Sequence, residues 1–414
     1  MNYKQLNEYT LKLRKENIIF KSGILFSLLL IVLKYLIILI RPFLNKVNQE
    51  NIDVLVIGTC KKDVEQTANI WESISAKYSL SRVILNKKKL LFSAFQNHNS
   101  IPKQTPYNIF LFSVFAQQLI EKYKPKIICL YTSNGPFPSI IRYYSNFYGG
   151  KTIYMPHCVI PIELYYSSLD YDYYFVFGKS SLKNLKMNDY LYCSLNTKVV
   201  LTGSPMIKTD FILQPNYLKK KILYLSNWLI GIDNEMTENF KNIILWAKTN
   251  SKYELLIKLH PIEDKNYIIK AVGQYSNIKI LPINITIKEA LELVSLTIIT
   301  AGSSSGIEAA LMNRPSVLMN VRKKNDSSID YRDSDKQYMT EHFFVERACN
   351  FNDLEDRIET IFKNFDFYIN RCKEYVDYHL ENSHNSQDFI IDTIAQIINS
   401  KENFKYELIY GKGF

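Results

Sequence analysis

Leu296-Thr297-Ile298-Ile299-Thr300-Ala301-Gly302-Ser303-Ser304-Ser305-Gly306-Ile307-Glu308-Ala309-Ala310-Leu311, followed by Arg314-Pro315, is the stretch from which the fold is read. An apolar run, a glycine-serine bend and a helix-forming segment, in that order, predict a strand, a tight turn and a helix N-terminus. In an α/β sheet this turn lies at the carboxyl edge of the strands. There three hydroxyls and several backbone N–H groups sit at the positive end of a helix dipole, which favours a phosphate. The same residues also fit an ordinary serine N-cap. Glu308 falls in the first turn, placed either to accept ribose hydroxyls or to cap its own helix.

Outward from this stretch the pattern repeats. Asp53-Val54-Leu55-Val56-Ile57-Gly58-Thr59 is an apolar run closed by a turn and reads as a buried parallel strand. Similar runs follow at 126–131, 152–155, 173–177 and 199–201, most with room for a crossover helix between them. The chain then turns polar through Gln214-Pro215-Asn216 and Lys219-Lys220-Lys221 and starts afresh at Ile222, with further runs at 254–259, 278–281 and 316–319. Strands alternating with helices predict parallel sheets covered on both faces. A length of 414 residues calls for two cores. The expected division is a basic segment with an apolar helix at 1–50, one Rossmann-like domain at 51–215, a second at 216–365, and closing helices at 366–414, where amphipathic stripes of Ile and Leu recur.

A second motif is Lys258-Leu259-His260-Pro261, at a strand end and ahead of Glu263 and Asp264. Lys258 and His260 share one face of the strand, and proline stops the ladder, so both side chains are presented at the sheet edge. A lone strand-end histidine is more often structural. The serine turn in the same half of the chain shifts that balance toward a binding role.

Strand-His-Pro, followed some forty residues later by strand-Ser-Ser-x-x-Glu-Ala and a proline, resembles the donor half of bacterial surface-carbohydrate transferases. These include capsule polysaccharide transferases, CDP-glycerol glycerophosphotransferases and bacterial sialyltransferases. The resemblance spans roughly residues 150 to 330, with Gly203-Ser204-Pro205 similar to the family's Gly-x-Pro turn and Met155-Pro156-His157-Cys158 to its Gln-His-Gly turn. It implies a GT-B fold, two Rossmann-like domains facing across a cleft. It also implies that Lys258, His260, Pro261, Gly302, Ser303, Ser304, Ser305 and Glu308 hold the nucleotide of a CMP-, CDP- or UDP-type donor. Gly58, Thr59, Asn134 and Gly135 would line the acceptor side, with a polysaccharide or a lipid-linked molecule as acceptor. Lys258 and Arg314 would neutralise the leaving diphosphate without a metal ion, and no cofactor is expected. Two departures stand out. Cys158 occupies the usual glycine position, and Thr132-Ser133-Asn134-Gly135 lacks the acidic pair of sialyltransferases. His157 is therefore the candidate general base, because an imidazole near pH 7 can take a hydroxyl proton. Asp63 and Glu65 are weaker candidates. A sugar-nucleotide epimerase or hydrolase of the same fold, or a silent GT-B module in a polysaccharide assembly complex, are the alternatives.

Composition narrows the partners. Hydrophobic residues at 47% and charged residues at 22% exclude a disordered chain and a polytopic membrane protein. The net charge of +11 is spread over the whole chain with no recognition motif, which fits phosphates or an anionic membrane better than nucleic acid. The six cysteines form no C-x-x-C pair, and Asp333-Ser334-Asp335 lies in a charged loop, so no metal site is expected. Residues 22–40 read SGILFSLLLIVLKYLIILI, long enough for a hydrocarbon layer of about 30 Å. Lys34 within the run costs about 2.5–3.5 kcal/mol at mid-bilayer unless it snorkels. Lys4, Lys12, Arg14, Lys15 and Lys21 precede the run and Arg41 and Lys46 follow it, a bias that keeps the N-terminus cytoplasmic. A single crossing would then export the domains, away from sugar nucleotides. The expectation is a re-entrant or interfacial helix, or the reverse orientation, holding the protein at the cytoplasmic face of the membrane; a buried core helix is the alternative.

Overall fold

A computed structural model of the chain describes residues 6, 8, 10, 11, 32, 49–58, 61–85, 107–133, 135–162, 166–189, 191–207, 212–217, 220–226, 230–260, 263–300, 304–321 and 346–411. These form two compact units, Met1–Met206 with Asn385–Phe414, and Ile207–His384. The expected division at 215/216 has its counterpart at 206/207. Residues 213 and 214 pack with the second unit, where Asn313 Nδ2 donates to the Leu213 carbonyl at 2.7 Å and Arg314 Nη1 to the Gln214 carbonyl at 2.8 Å. Of the expected closing helices, Phe365–His379 belongs to the second unit and Ser386–Ile398 to the first. The membrane-associated helix expected at 22–40 lies, Val32 apart, outside the described residues. Among the described residues no helix is long and apolar enough to cross a membrane.

The first unit is built on β1 (Val54–Gly58), β2 (Leu80–Ile84), β3 (Ile127–Leu130), β4 (Lys151–Tyr154), β5 (Tyr173–Val176) and β6 (Thr197–Leu201). They are parallel, in the order β2-β1-β3-β4-β5-β6, and a late strand, Glu407–Ile409, adds antiparallel beyond β6. Alternate residues feed two cores. Val54, Val56, Cys129 and Phe175 pack with Ile70 and Trp71 of the helix Ala68–Ser75 and with Ile390 and Ile394. Leu55, Ile57, Leu130 and Tyr174 pack on the opposite face with Ile109, Phe115 and Ile140. Covering on both faces is why these strands read as unbroken apolar runs.

Gly150, which opens β4, marks a close approach. A Cβ there would stand 2.7 Å from the Pro125 carbonyl oxygen and 2.7 Å from Ser145 Oγ. The backbone contact cannot swing aside, so Gly150→Ala is expected to cost roughly 1–3 kcal/mol by overpacking. Urea unfolding of the first unit checks this, and an unchanged midpoint would refute it.

The second unit holds β7 (Lys221–Leu225), β8 (Glu254–Lys258), β9 (Ile278–Ile280), β10 (Leu296–Thr300), β11 (Ser316–Met319) and β12 (Glu346–Ala348). All are parallel, in the order β12-β11-β10-β7-β8-β9. Tyr224, Ile257, Ile298 and Val317 pack with Phe240 and Trp246 of the helix Asn234–Thr249 and with Leu354 and Ile358 of the helix Phe351–Lys363. This is the doubly wound order. The chain lays β8 and β9 on one side of β7, then returns to place β10 on the other, and in open α/β sheets such a reversal is where a ligand crevice lies, at the carboxyl ends of the strands. In the first unit the equivalent reversal lies between β1 and β3.

Candidate functional site

The reversal in the second unit falls where the two motifs meet. Ile299, Leu225 and Lys258 are neighbours in the ladder, so β10, β7 and β8 end in register. Two interstrand steps put the ends of β8 and β10 about 10 Å apart. After β10 the helix Ser305–Leu311 runs off the same edge, and Gly306 lets it approach closely: a Cβ there would meet Ile299 Cδ1 at 3.0 Å. Its N-cap, Ser304, has helical backbone angles and makes no side-chain capping bond. The ordinary serine cap weighed above is therefore not formed, and this hydroxyl is not spent on its own helix.

Lys258 and Glu308 each feel the other's charge at this edge. Burial lowers the Lys258 ammonium below its ordinary range, and the Glu308 charge partly restores it. Glu308 is partly buried, and desolvation of its carboxyl pushes its pKa up to about 7 against the opposing pull of Lys258. Each group penalised by desolvation thus has one opposite charge as partial compensation.

His260 is held by its backbone. Its N–H donates to Ser226 Oγ at 3.1 Å and to Glu263 Oε2 at 3.0 Å, while Glu263 N–H donates to the His260 carbonyl at 3.0 Å. Ser226 Oγ also donates to Glu263 Oε2. Burial raises the Glu263 carboxyl, with the Ser226 and His260 bonds opposing the shift, and Glu263 Oε1 is enclosed without a hydrogen-bond partner among the described residues. Tyr224 OH and Thr300 Oγ1 lie 3.5 Å apart below this edge. The sequence marks Glu263 only as an acidic residue after the motif and gives Ser226 no role. Ser226 is the first residue past a strand, a position that could have flagged it, whereas the brace from Glu263 appears only once the turn is folded. Asp264 beside it caps a helix, accepting from Asn266 N–H at 3.0 Å and Tyr267 N–H at 3.4 Å.

Arg314 is not at this edge in a free state. Its guanidinium is buried and donates to the carbonyls of Leu291, Gln214, Met312 and Asn313 at 2.8–3.1 Å. It ties a turn to the segment entering the second unit, and burial lowers its pKa to about 10. The diphosphate role considered for it from sequence is therefore withdrawn.

In the first unit Gly58 ends β1, buried, with its carbonyl accepting from Leu85 N–H at 2.8 Å. Gly135 follows β3 with φ 73°, a left-handed conformation that suits glycine. His157 follows β4 on the same edge, its Nε2 3.3 Å from Tyr166 OH, and Cys158 Sγ lies 3.4 Å from that hydroxyl. The structure thus places Gly58, Gly135 and His157 along one carboxyl edge, and Lys258, His260, Ser304, Ser305 and Glu308 along the other unit's. Thr59, Asn134, Pro261, Gly302 and Ser303 lie outside the described residues. Glu65 is exposed on the short helix Lys61–Gln66, which also carries Asp63. Among the described residues no group of three His, Cys, Asp or Glu could hold a metal ion.

No protein-family model and no curated protein sequence matches the chain. Solved structures do. The S. aureus MnaA–UDP co-structure superposes with a TM-score of 0.54 at 11% identity, over 87% of this chain and 100% of that one. The crystal structure of the glycotransferase of kitacinnamycin superposes with a TM-score of 0.51 at 10% identity, over 85% of this chain and 100% of that one. The chain has the GT-B fold. A Listeria monocytogenes protein assigned as a UDP-N-acetylglucosamine 2-epimerase shares this GT-B likeness, with a TM-score of 0.54, 11% identity and coverage of 87% and 100%. At such identities the likeness is one of fold.

Proposed function

We propose that the chain is a nucleotide-sugar-dependent glycosyltransferase whose donor site is the crevice at the β7–β10 reversal. The observation that carries this is the partly buried, charge-coupled Lys258–Glu308 pair beside the uncapped Ser304 turn, in a GT-B fold. Lys258 supplies charge to the phosphate of a CMP-type donor or the diphosphate of a CDP- or UDP-type donor, and Ser304, Ser305 and the first N–H groups of their helix supply hydrogen bonds. Glu308 accepts from the ribose hydroxyls, and His260 contacts the nucleotide. His157 takes the proton of the acceptor hydroxyl as that oxygen attacks the anomeric carbon and the nucleoside phosphate leaves. The acceptor is a surface polysaccharide or a lipid-linked molecule at the cytoplasmic face of a membrane. The likeness in fold to a protein assigned as an epimerase supports a second reading, in which the nucleotide sugar is itself converted.

Calorimetric titration with CMP, CDP, UDP and GDP tests the site. A pyrimidine nucleotide is expected to bind, and Ser304→Ala and His260→Ala each to weaken it roughly tenfold, the loss of one hydrogen bond to a charged group. Unchanged affinity in both variants would remove the assignment. NMR of the nucleotide sugar without acceptor separates the two readings, because only an epimerase converts it under those conditions.

A further inference from the structure

The amino edge of the first sheet, opposite the edge with His157, carries exposed aromatic side chains. On the helix Phe137–Phe147 and just past it, Phe147 is 73% exposed, Tyr143 41% and Tyr148 42%. Phe147 and Tyr148 meet edge to face at 5.2 Å, which holds them as a pair. The same edge continues past β5 to Leu195, 54% exposed before β6, and to Tyr410, 67% exposed after the late strand Glu407–Ile409. Gly411 ties these two spots together, its N–H donating to Asn196 Oδ1 at 3.4 Å. Single exposed apolar residues need no explanation, but a row of them along one edge does.

Lysines surround this row. Lys124 and Lys151 are exposed between the aromatic pair and the strand starts, and Lys126 lies beside them with its side chain 64% exposed. Three acidic groups here are recessed: Asp53 pairs with Lys126, Asp172 sits close to Arg142 and 4.0 Å from Lys151 Nζ, and Glu121 is buried and accepts from Tyr148 OH. Glu50 is the exposed exception, its side chain 51% exposed and 3.6 Å from Lys122 Nζ, so lysines outnumber exposed carboxylates around the aromatic pair. The chain also joins the fold at this edge. Glu50 N–H donates to the Lys122 carbonyl at 2.6 Å and Ile52 N–H to the Tyr123 carbonyl at 3.1 Å, at the end of the helix Tyr107–Tyr123. The apolar run 22–40 therefore ends only some ten residues before the chain reaches this basic and aromatic rim.

We propose that the rim of Tyr143, Phe147, Tyr148, Lys124 and Lys151 docks on an anionic lipid surface, with the aromatic rings at headgroup depth and the lysines against lipid phosphates. Three observations support lipid over a second copy of the chain. Aromatic rings flanked by lysines match the membrane interface, exposed lysines outnumber exposed carboxylates beside them, and the longest apolar run in the sequence leads into the same edge. The inference is independent of the donor site, because no residue of the second unit takes part in it.

A probe at position 147 of the full chain tests it. Phe147→Trp replaces one exposed ring by another, so folding is unaffected. On vesicles of phosphatidylcholine and phosphatidylglycerol the introduced indole is expected to shift its emission to shorter wavelength and to be quenched by acyl-chain-brominated lipid, relative to the unsubstituted protein. Lys124→Glu and Lys151→Glu are each expected to weaken vesicle affinity about fivefold or more, and added salt to weaken it further. An indole that stays solvent-like while the protein sediments with vesicles would show that 22–40 alone holds the membrane and would overturn the proposal. Sedimentation of a dimer that Phe147→Ser dissolves would overturn it in favour of a second copy of the chain.

Discussion

Arg142→Ala is expected to destabilise the first unit by about 3–5 kcal/mol, the cost of leaving a buried charge without its partner. Arg142 projects from the helix Phe137–Phe147 with its side chain 5% exposed. Its Nη2 donates to the Asn196 carbonyl at 2.6 Å, Nη1 lies 3.5 Å from Asp170 Oδ1 and 3.4 Å from Thr197 Oγ1, and Nε lies 3.6 Å from Asp172. One guanidinium thus joins a helix to the starts of β5 and β6. Asp170 is fully buried, and besides Arg142 it accepts from Ser194 N–H at 2.8 Å and from Ser194 Oγ. Without the guanidinium its charge remains enclosed with neutral donors only. Adding Asp170→Asn to Arg142→Ala is expected to recover part of the loss, because the neutral amide no longer demands a cation. Urea unfolding followed by far-UV circular dichroism measures both. A loss under about 1 kcal/mol for the single variant, or no recovery in the double, would refute the account.

The strands that the sequence shows well are those buried on both faces. β1, β3, β5, β8 and β10 are short Val, Ile, Leu and aromatic runs because two cores take their alternate residues. β2, Leu-Ser-Arg-Val-Ile, went unseen. Among the described residues it pairs only with β1, and it carries Ser81 and Arg82 where an inner strand would carry apolar residues. The strand Glu407–Ile409 is three residues long and depends on its partner β6, and nothing in its own composition announces it.

Sites follow the same logic. Lys258 and Glu308 lie fifty residues apart and meet only because the reversal of strand order brings β8 and β10 to either side of β7. The motif pattern pointed to both residues, and the topology explains why they are together. Arg314 shows the opposite case. A basic residue after a phosphate-type turn suggests anion binding, yet here the carbonyls of a helix end and an incoming segment consume its donors. Sequence patterns place a cation near a turn but do not reveal which oxygen atoms reach it first.

The Lys258–Glu308 pair leads to the second large effect. Lys258→Met is expected to weaken binding of a nucleoside diphosphate by roughly 10- to 100-fold, equivalent to about 1.5–3 kcal/mol for charge-assisted hydrogen bonds. The side chain keeps its length and apolar stem, so a smaller loss would mean that the diphosphate rests on neutral donors alone. Glu308→Gln separates folding from binding. In the folded chain the Glu308 carboxyl titrates at about 7, against 4.5 as its ordinary value. Between those pH values the folded state holds a proton that the unfolded state has released, so stability falls as pH rises from about 4.5 to about 7 and is level above it. Glutamine has no proton to lose. The variant is expected to lack this slope and to be more stable than wild type at pH 8 by about 1–3 kcal/mol, with the loss of a partner for Lys258 pulling toward the lower end. Urea midpoints at pH 5, 6, 7 and 8 read this directly, and a variant as pH-dependent as wild type would assign the slope to other groups. A gain in stability together with a loss in nucleotide affinity would mark Glu308 as a residue kept for its ligand at the expense of its fold, because a carboxyl that served only to cap its helix has no reason to be desolvated beside a lysine.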